Sequence, residues 1–491
     1  LRVVCDIEGD DLKPTRLWCA VARDLDTGET YEFLDLVDNP AFRTWAEKVT
    51  LWVGHNFLGW DAPALRRLCN LDIPHERVKD TLVLSRLFDA TLHDHKKPHS
   101  LEAWGQRLGF AKPHADLSDW SVYRPEMLER CRGDVEINVR LFKRFEKFVN
   151  SDLWQDAIRL EHFIADFCNT LHINGFAFDI KAAETLRDEI QAEVQSLEKQ
   201  MQEAFGLRVI PGKEITPRAT KHGTLNRSDF RWVADGDLTP FSVDAPFTRI
   251  SFEQFNPASP SQRIDELWKA GWRPVNETKG HKDVLKELRE LKRRRKKTET
   301  DHTRIKELEV RVGKYGVSGY GYSGWSSSDE ENLHTLPDNA PEATRLIPRY
   351  VILNNRLSVL NKQWIPNYVP ETGRIHGSFN GIGAWTHRMS HDRPNMGNIP
   401  KFDTRQPHKT PYSDRMRSLW CAAPGKYLVG VDAESIQLRI FGHYIQDDEF
   451  IKGLVSGDKS KGTDAHSVNQ RALGAPCKSR DDAKTFRFGR L

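Results

Sequence analysis

Two sets of side chains in this sequence could do chemistry. The first is acidic. Asp6-Ile7-Glu8 ends an apolar run, and strand alternation puts residues 6 and 8 on one face, so both carboxylates can reach one metal ion. Asn56-Phe57-Leu58-Gly59-Trp60-Asp61 brings a third carboxylate to the head of a helix, and Asp134 brings a fourth at the opening of a helix over 135–142. Four acids converging on one point repel each other unless cations neutralise them, and Mg²⁺ or Mn²⁺ with oxygen ligands does so. A two-metal site activates water with one ion and stabilises a leaving oxygen with the other. Taken singly, Asp61 and Asp134 read as helix N-caps, so spacing alone does not identify the set.

The second set combines an acid with bases. The apolar run Tyr427-Leu428-Val429-Gly430-Val431 ends in Asp432, and Arg480, Lys484 and Phe488 follow, four residues apart. That spacing gives one helix face. A strand-end carboxylate followed by a basic helix suits metal-assisted phosphoryl chemistry.

The elements that must position these residues follow from pattern. Residues 1–150 alternate short apolar strands with helical stretches, an α/β pattern, with strand pieces at 1–5, 17–21 and 52–53. Residues 155–205 are helical: Leu160, Phe163, Ile164 and Phe167 recur at helix spacing, as do Leu186, Ile190, Val194 and Leu197. Residues 206–250 read as a loop-rich insertion. A second insertion, about 281–322, opens as two charged helical stretches flanking a turn at 298–302 and closes with a Gly- and Tyr-rich linker. Within it, Lys292-Arg293-Arg294-Arg295-Lys296-Lys297 reads either as a solvated helix end beside Glu287 and Glu290 or as a phosphate-tracking patch with steep salt dependence.

Bulk properties narrow the class. The 491 residues predict roughly three domains. The net charge is only +3, so any affinity for nucleic acid must sit in local patches. The seven cysteines are scattered without a CxxC pair, which predicts a reducing compartment and no structural zinc. No apolar run approaches about 18 residues, so no membrane span is expected.

The N-terminal acids also carry a resemblance. Asp6-x-Glu8, Asn56-x4-Asp61 and Asp134, with Asp80-Thr81-Leu82-Val83-Leu84-Ser85-Arg86-Leu87 and His99-Ser100-Leu101-Glu102-Ala103-Trp104-Gly105 between them, resemble the DEDD-type 3′–5′ exonuclease domain. They look like the phage subset of that domain, which is fused to a family A (Pol I-like) DNA polymerase. The resemblance covers nearly all of residues 1–150. It implies an RNase H-like fold, with Asp6, Glu8, Asp61 and Asp134 catalytic and Asp6, Glu8 and Asp134 on metal. There is one departure. The family usually has tyrosine four residues before the last aspartate, and here that position is Arg130. A guanidinium cannot accept a proton and keeps its charge. Slower proofreading, water held another way, and a locally different register are the three outcomes left open.

From residue 374 the resemblance continues into the polymerase. Arg374-Ile375-His376-Gly377-Ser378-Phe379-Asn380 leads to Thr386-His387-Arg388 and then to Arg393-Pro394-Asn395-Met396-Gly397-Asn398-Ile399-Pro400. The two prolines bracket an extended loop. Its asparagines can bond a minor groove or a sugar, although Asn near Pro is also ordinary turn chemistry. Val429-Gly430-Val431-Asp432-Ala433-Glu434-Ser435-Ile436-Gln437-Leu438-Arg439 is similar to the motif with the first polymerase carboxylate. The resemblance implies that Asp432, with the carbonyl of Ala433, binds the catalytic metals. It places Gln437, usually glutamate, under the incoming sugar, with sugar discrimination kept. It places His466, Arg480 and Lys484 on the triphosphate and Phe488 on the incoming base or sugar. A phenylalanine at 488, where relatives have tyrosine, implies discrimination against dideoxynucleotides. Arg388, Asn395 and Asn398 are the implied DNA contacts.

The resulting expectation is an α/β multidomain chain. It comprises an exonuclease domain (1–150), a mostly helical thumb with the two insertions (151–373), a partial α+β palm (374–445) and the start of helical fingers (446–491). The expected function is DNA-directed DNA polymerase with proofreading in phage replication, using Mg²⁺ or Mn²⁺. The expected partners are primer-template DNA, a single-stranded 3′ end, dNTPs, and a processivity factor or other replisome protein near 206–250. The expected location is the host cytoplasm. The family's second polymerase carboxylate, in a His-Asp-Glu turn, has no counterpart here, so the sequence is also expected to be a fragment ending in the fingers helix and not competent for polymerisation alone. The alternatives are a standalone 3′–5′ exonuclease and a non-catalytic DNA-binding half of a split polymerase.

Overall fold

The computed structural model describes residues 1–110, 119–233, 237–272, 275–294, 296–315, 330–404, 410–480 and 482–484. It is a mixed α/β architecture that divides into two compact units, Leu1–Cys421 and Ala422–Leu491.

The first unit opens with a five-stranded sheet in the order β3-β2-β1-β4-β5. Its strands are β1 (Arg2–Gly9), β2 (Leu17–Asp24), β3 (Thr30–Leu34), β4 (Leu51–Gly54) and β5 (Val78–Asp80). β1 to β3 form an antiparallel meander, and β4 and β5 add in parallel. Parallel strands need crossover connections. α1 (Pro40–Ala46) precedes β4, and α2 (Asp61–Cys69) joins β4 to β5. α3 (Thr81–Phe88), α4 (Leu101–Arg107) and α5 (Pro125–Val149) follow β5. The pleat sorts β1 between two cores: Val3, Cys5 and Ile7 pack with residues of α1 and α2, whereas Val4 packs with residues of α3, α4 and α5. The parity that sends Val4 toward α5 also sends Asp6 and Glu8 there.

The strands expected at 1–5, 17–21 and 52–53 are present and longer than predicted. The helix expected to open after Asp134 instead begins at Pro125, so Asp134 lies well inside α5. The signal for the earlier start is Pro125 at the first helical position.

The helical region 155–205 is two helices, α6 (Gln155–Asn174) and α7 (Ile180–Phe205), broken where Gly175 takes φ 61°. The two-residue strand β6 (Phe176–Ala177) lies between them. The apolar stripe of α7 is buried as its period requires, but on α6 Leu160 and Phe163 are 55% and 47% exposed. α6 instead buries Ile158, His162 and Cys168. Residues 206–250, expected to be loop, contribute to an antiparallel ribbon of β7 (Leu207–Ile215) and β8 (Phe247–Gln254). Leu207, Val209, Ile250 and Phe252 share one face of the ribbon and are all exposed.

α8 (Pro260–Lys269) precedes the second insertion, whose helices are α9 (Lys279–Arg293) and α10 (Glu299–Tyr315). The turn lies before Glu299 rather than over 298–302. Thr298 and Asp301 form a reciprocal cap, Thr298 N donating to Asp301 Oδ2 at 3.0 Å and Asp301 N to Thr298 Oγ1 at 3.2 Å. The linker expected at 316–322 lies outside the described residues. The basic run is partly neutralised: Lys292 pairs with Glu309 at 2.6 Å and Arg294 with Asp301 at 2.8 Å.

The unit closes with α11 (Glu330–Leu333), α12 (Glu342–Val359), β9 (Tyr368–Val369), β10 (Arg374–Ile375), β11 (Ser378–Asn380), β12 (Ser390–Asp392) and α13 (Ser413–Ser418). One core joins α7, α8 and α12 to Trp272, Trp364, Met416 and Trp420. The second unit holds α14 (Ile436–Ile445), α15 (Asp448–Val455) and α16 (Ala465–Leu473). Among the described residues, no helix is long and apolar enough to cross a membrane.

A buried histidine ties α6 to the sheet. His162 Nε2 accepts the Asp80 N–H at 2.7 Å, so Nδ1 carries the proton and donates to Ile158 O at 2.8 Å. Burial lowers its pKa from 6.5 to about 4. Between those values the unfolded chain binds a proton that native His162 refuses, so stability is lost as pH falls from 6.5 to 4. The loss is at most about 1.4 kcal/mol per pH unit. Urea unfolding of the first unit across this window should show the decline, and His162→Gln should flatten it. An unchanged slope would place the acid sensitivity elsewhere.

Candidate active site

β1 delivers Asp6 and Glu8 at its C-terminal end. There the pairing with β2 runs Asp6 opposite Val21 and Glu8 opposite Cys19, then shifts register between Glu8 and Gly9. Such a bulge bends the strand and re-aims its side chains. Gly9 allows the bend, because a Cβ there would lie 2.9 Å from Pro14 Cβ and 3.0 Å from Arg16 O. α5 delivers Asp134. The Cys131 thiol donates to Asp6 O at 3.1 Å, and this fixes the height of α5 against β1. Arg132 adds paired contacts of 2.6 Å to both Glu32 oxygens on β3.

Asp6, Glu8 and Asp134 offer carboxylate oxygens that all lie within 4.8 Å of one another. They line a cavity of about 450 Å³ with Asp10, Asp11, Leu12, His55, Asn56, Trp60, Asp61, Trp120 and Arg130. Asp61 shares the cavity but stands outside the close group of three. It is the first residue of α2, capped by Trp60 without a side-chain bond, and Asp134 is mid-helix, so neither is an N-cap. Burial, then the charges of Asp80 and Glu8, push the Asp61 pKa well up. That is the expected response of a desolvated acid beside like charges.

Arg130 lies among the acids. Its Nε is 3.4 Å from Glu8 Oε1 and 4.0 Å from Asp134 Oδ2, and its guanidinium carbon is 5.3 Å from the centre of the Trp120 ring. A locally different register is thus not what accommodates it. The helix is continuous through 130–134, with both side chains at the cavity.

Asp80 holds the loop that carries the cavity's far wall. Its Oδ1 accepts from Asn56 N and Leu82 N at 2.9 Å each, and its Oδ2 accepts from Leu58 N at 3.0 Å. Asn56 sits at φ 60°, a conformation the loop keeps because Asp80 pins both sides of it. Burial raises the Asp80 pKa, and these backbone bonds oppose the rise. The sequence motif contained Asp80 but did not reveal this role; the signal was an acid at the end of β5 followed by a helix. Trp120 escaped sequence reasoning altogether, because a lone tryptophan in a loop carries no periodicity.

Of the predicted residues in the first unit, Arg388, Asn395 and Asn398 are not among those lining this cavity. In the first unit, Arg388 and Asn398 are exposed. Asn395 Oδ1 accepts from Gly397 N and Asn398 N at 3.2 Å each, the ordinary turn chemistry that the sequence left open. In the second unit, the strand expected before Asp432 is not formed. Residues 427–434 have no strand pairing, and Tyr427 and Val431 are each 93% exposed. An isolated apolar run has no neighbour to satisfy its backbone groups, so pattern alone does not make a strand. Asp432, Ala433 and Gln437 are exposed. His466 is buried beneath the α16 cap, where its N–H donates to Asp464 at 3.2 Å. Arg480 pairs with Asp464 at 2.6 Å and holds that carboxyl well below its usual range. Lys484 is exposed at the end of a helical piece, and Phe488 lies outside the described residues.

Comparison with known proteins defines the class. Residues 306–491 match the family model "DNA polymerase family A". The whole chain aligns at 27% identity with the DNA-directed DNA polymerase of Enterobacteria phage T3 and at 27% with that of Escherichia phage T7, covering 75% of each. The fold is similar to a solved polymerase domain of Pol1 from M. smegmatis in complex with DNA primer-template and dNTP. That match has a TM-score of 0.57 and 14% identity, and covers 99% of this chain and 67% of the other. The chain is similar along its whole length to these phage DNA-directed DNA polymerases, and over residues 306–491 to the family A model.

Asp80→Ala leaves three backbone N–H groups without their acceptor. It should destabilise the first unit by about 2–4 kcal/mol, measured by urea denaturation. A change under about 1 kcal/mol would mean that the 56–61 loop does not depend on this carboxylate.

Proposed function

We propose that the protein is a DNA-directed DNA polymerase of phage replication whose residues 1–150 form a 3′–5′ proofreading exonuclease. One observation carries the reading. The acids Asp6, Glu8 and Asp134 gather within 4.8 Å in the lining of a cavity, in a chain aligned along its whole length with phage DNA polymerases.

The donor set fits Mg²⁺ or Mn²⁺. It offers hard oxygen ligands only, close enough to share one centre, with a net charge that a divalent cation offsets. Asp6, Glu8 and Asp134 would hold the metal, which when bound supplies an acidified water and charge stabilisation for a phosphodiester leaving group. The protein's own groups do the rest. Asp61, pushed toward its neutral form, can hold a proton beside the other three acids. Leu12, 83% exposed on the rim, and Trp60, whose indole N–H donates to Leu12 O at 2.9 Å, give a terminal base an apolar surface.

For polymerisation, Asp432, helped by the Ala433 carbonyl, would hold the catalytic metals, and Gln437 lies under the sugar. His466, Arg480 and Lys484 meet the triphosphate, Phe488 meets the base, and Arg388, Asn395 and Asn398 contact DNA. Arg480 must exchange Asp464 for phosphate to take that role. Residues 151–373 act as thumb, 374–445 as palm and 446–491 as fingers. The ribbon of β7 and β8, with Val209 and Phe252 cross-paired and exposed, is the surface for a processivity partner. The site of action is the host cytoplasm.

Primer-template assays test both halves by their crossover. In the protein carrying this sequence, Asp6→Ala with Glu8→Ala should lower Mg²⁺-dependent degradation of a 3′ tail by about a hundredfold or more and spare primer extension. Asp432→Ala should do the reverse. Degradation that survives the double substitution sinks the exonuclease assignment; extension that survives Asp432→Ala sinks the polymerase assignment.

A further inference from the structure

Arg130 differs from an exposed arginine in three ways. Its Nε is buried and, among the described residues, makes no hydrogen bond of normal geometry. It nevertheless stands 3.4 Å from Glu8 and 4.0 Å from Asp134, two acids whose side chains are only 13% and 7% exposed. The guanidinium is also held over the face of Trp120, a contact that restricts a side chain otherwise rich in rotamers. The contact with the acids is therefore one of charge rather than of hydrogen bonding, and Trp120 keeps the charge in place.

We infer that Arg130 is a resident counter-cation of this cavity: it stabilises the acid cluster without metal and weakens the binding of a divalent ion at the Glu8–Asp134 edge. The inference rests on reading Asp6, Glu8 and Asp134 as a metal site. A divalent ion bound there comes within a few ångströms of a group that cannot lose its charge. Repulsion at that range is strong in a partly desolvated site. The same guanidinium offsets repulsion among the acids when no ion is bound. The two effects have opposite signs, and a residue that only packed the loop would lower stability when removed without tightening the binding of a divalent ion.

Mn²⁺ titration of the full chain without DNA, by the electron paramagnetic resonance of free Mn²⁺, reads the first effect. Thermal unfolding in EDTA reads the second. Arg130→Gln removes the charge; Arg130→Lys keeps it. Arg130→Gln should tighten Mn²⁺ binding by about tenfold and lower the melting temperature in EDTA, while Arg130→Lys stays within about threefold of the parent. The Asp6→Ala, Glu8→Ala double variant identifies the site by losing this Mn²⁺ binding. If the double variant binds Mn²⁺ as the parent does, the metal reading itself fails. If the double variant loses the site but Arg130→Gln binds Mn²⁺ within about twofold of the parent, or more weakly, Arg130 does not oppose the ion and the inference is overturned. Metal affinity unchanged in Arg130→Gln with weaker binding of a single-stranded oligonucleotide would assign Arg130 to phosphate instead.

Discussion

Mutual repulsion among carboxylates is the constraint on which the N-terminal part of this molecule depends. Asp6, Glu8 and Asp134 would separate if the chain let them, and three features prevent it. Strand parity sends Asp6 and Glu8 to one face. The bulge at Glu8/Gly9 bends the end of β1 out of its pairing with β2. The Cys131 thiol then ties α5 to the Asp6 carbonyl. The charge is relieved locally by two means visible in the structure. Burial moves Asp61 toward neutrality, and a guanidinium stands beside Glu8 and Asp134.

A second device keeps the cavity's other wall in register. The Asp80 carboxylate gathers three backbone N–H groups from the turn at 56–58 and the start of α3, while its own N–H goes to His162 on α6. Loop, sheet edge and the helix leading into the second core thus meet at one residue. Neutral His162 is needed there because an acceptor must face the Asp80 N–H. Its low pKa is the consequence of burial, which the bond to Ile158 O only partly opposes. The cavity wall and the start of α6 are in this way mechanically linked.

The second unit is organised differently. Asp464 caps α16 and binds Arg480, so a carboxylate at a helix start occupies one of the cations that the sequence aimed at phosphate. Exposed Asp432 and Gln437 leave their side chains accessible. Among the described residues, no close constellation gathers Asp432, Gln437 and Arg480 here. The N-terminal acids are different, because geometry gathers them independently of any relative.

Much of this was legible in the sequence. The α/β alternation of 1–150 with three of its five strands, the shared face of residues 6 and 8, the buried stripe of α7 and the helical hairpin of the second insertion all follow from local periodicity, which the chain carries in its own side chains. The β7–β8 ribbon, the exposed stripe of α6 and the unformed strand before Asp432 did not follow. Whether an apolar run is buried or paired depends on what lies opposite it, and sequence spacing does not contain that. The site divides the same way. By itself the sequence determined which acids face together along one strand, because alternation is a property of the backbone. Only the tertiary structure decided that Asp61 stands outside the close group of three and that Arg130, held against Trp120, enters it. Those outcomes depend on the packing of distant segments, where charge and burial are set by neighbours the local chain cannot specify.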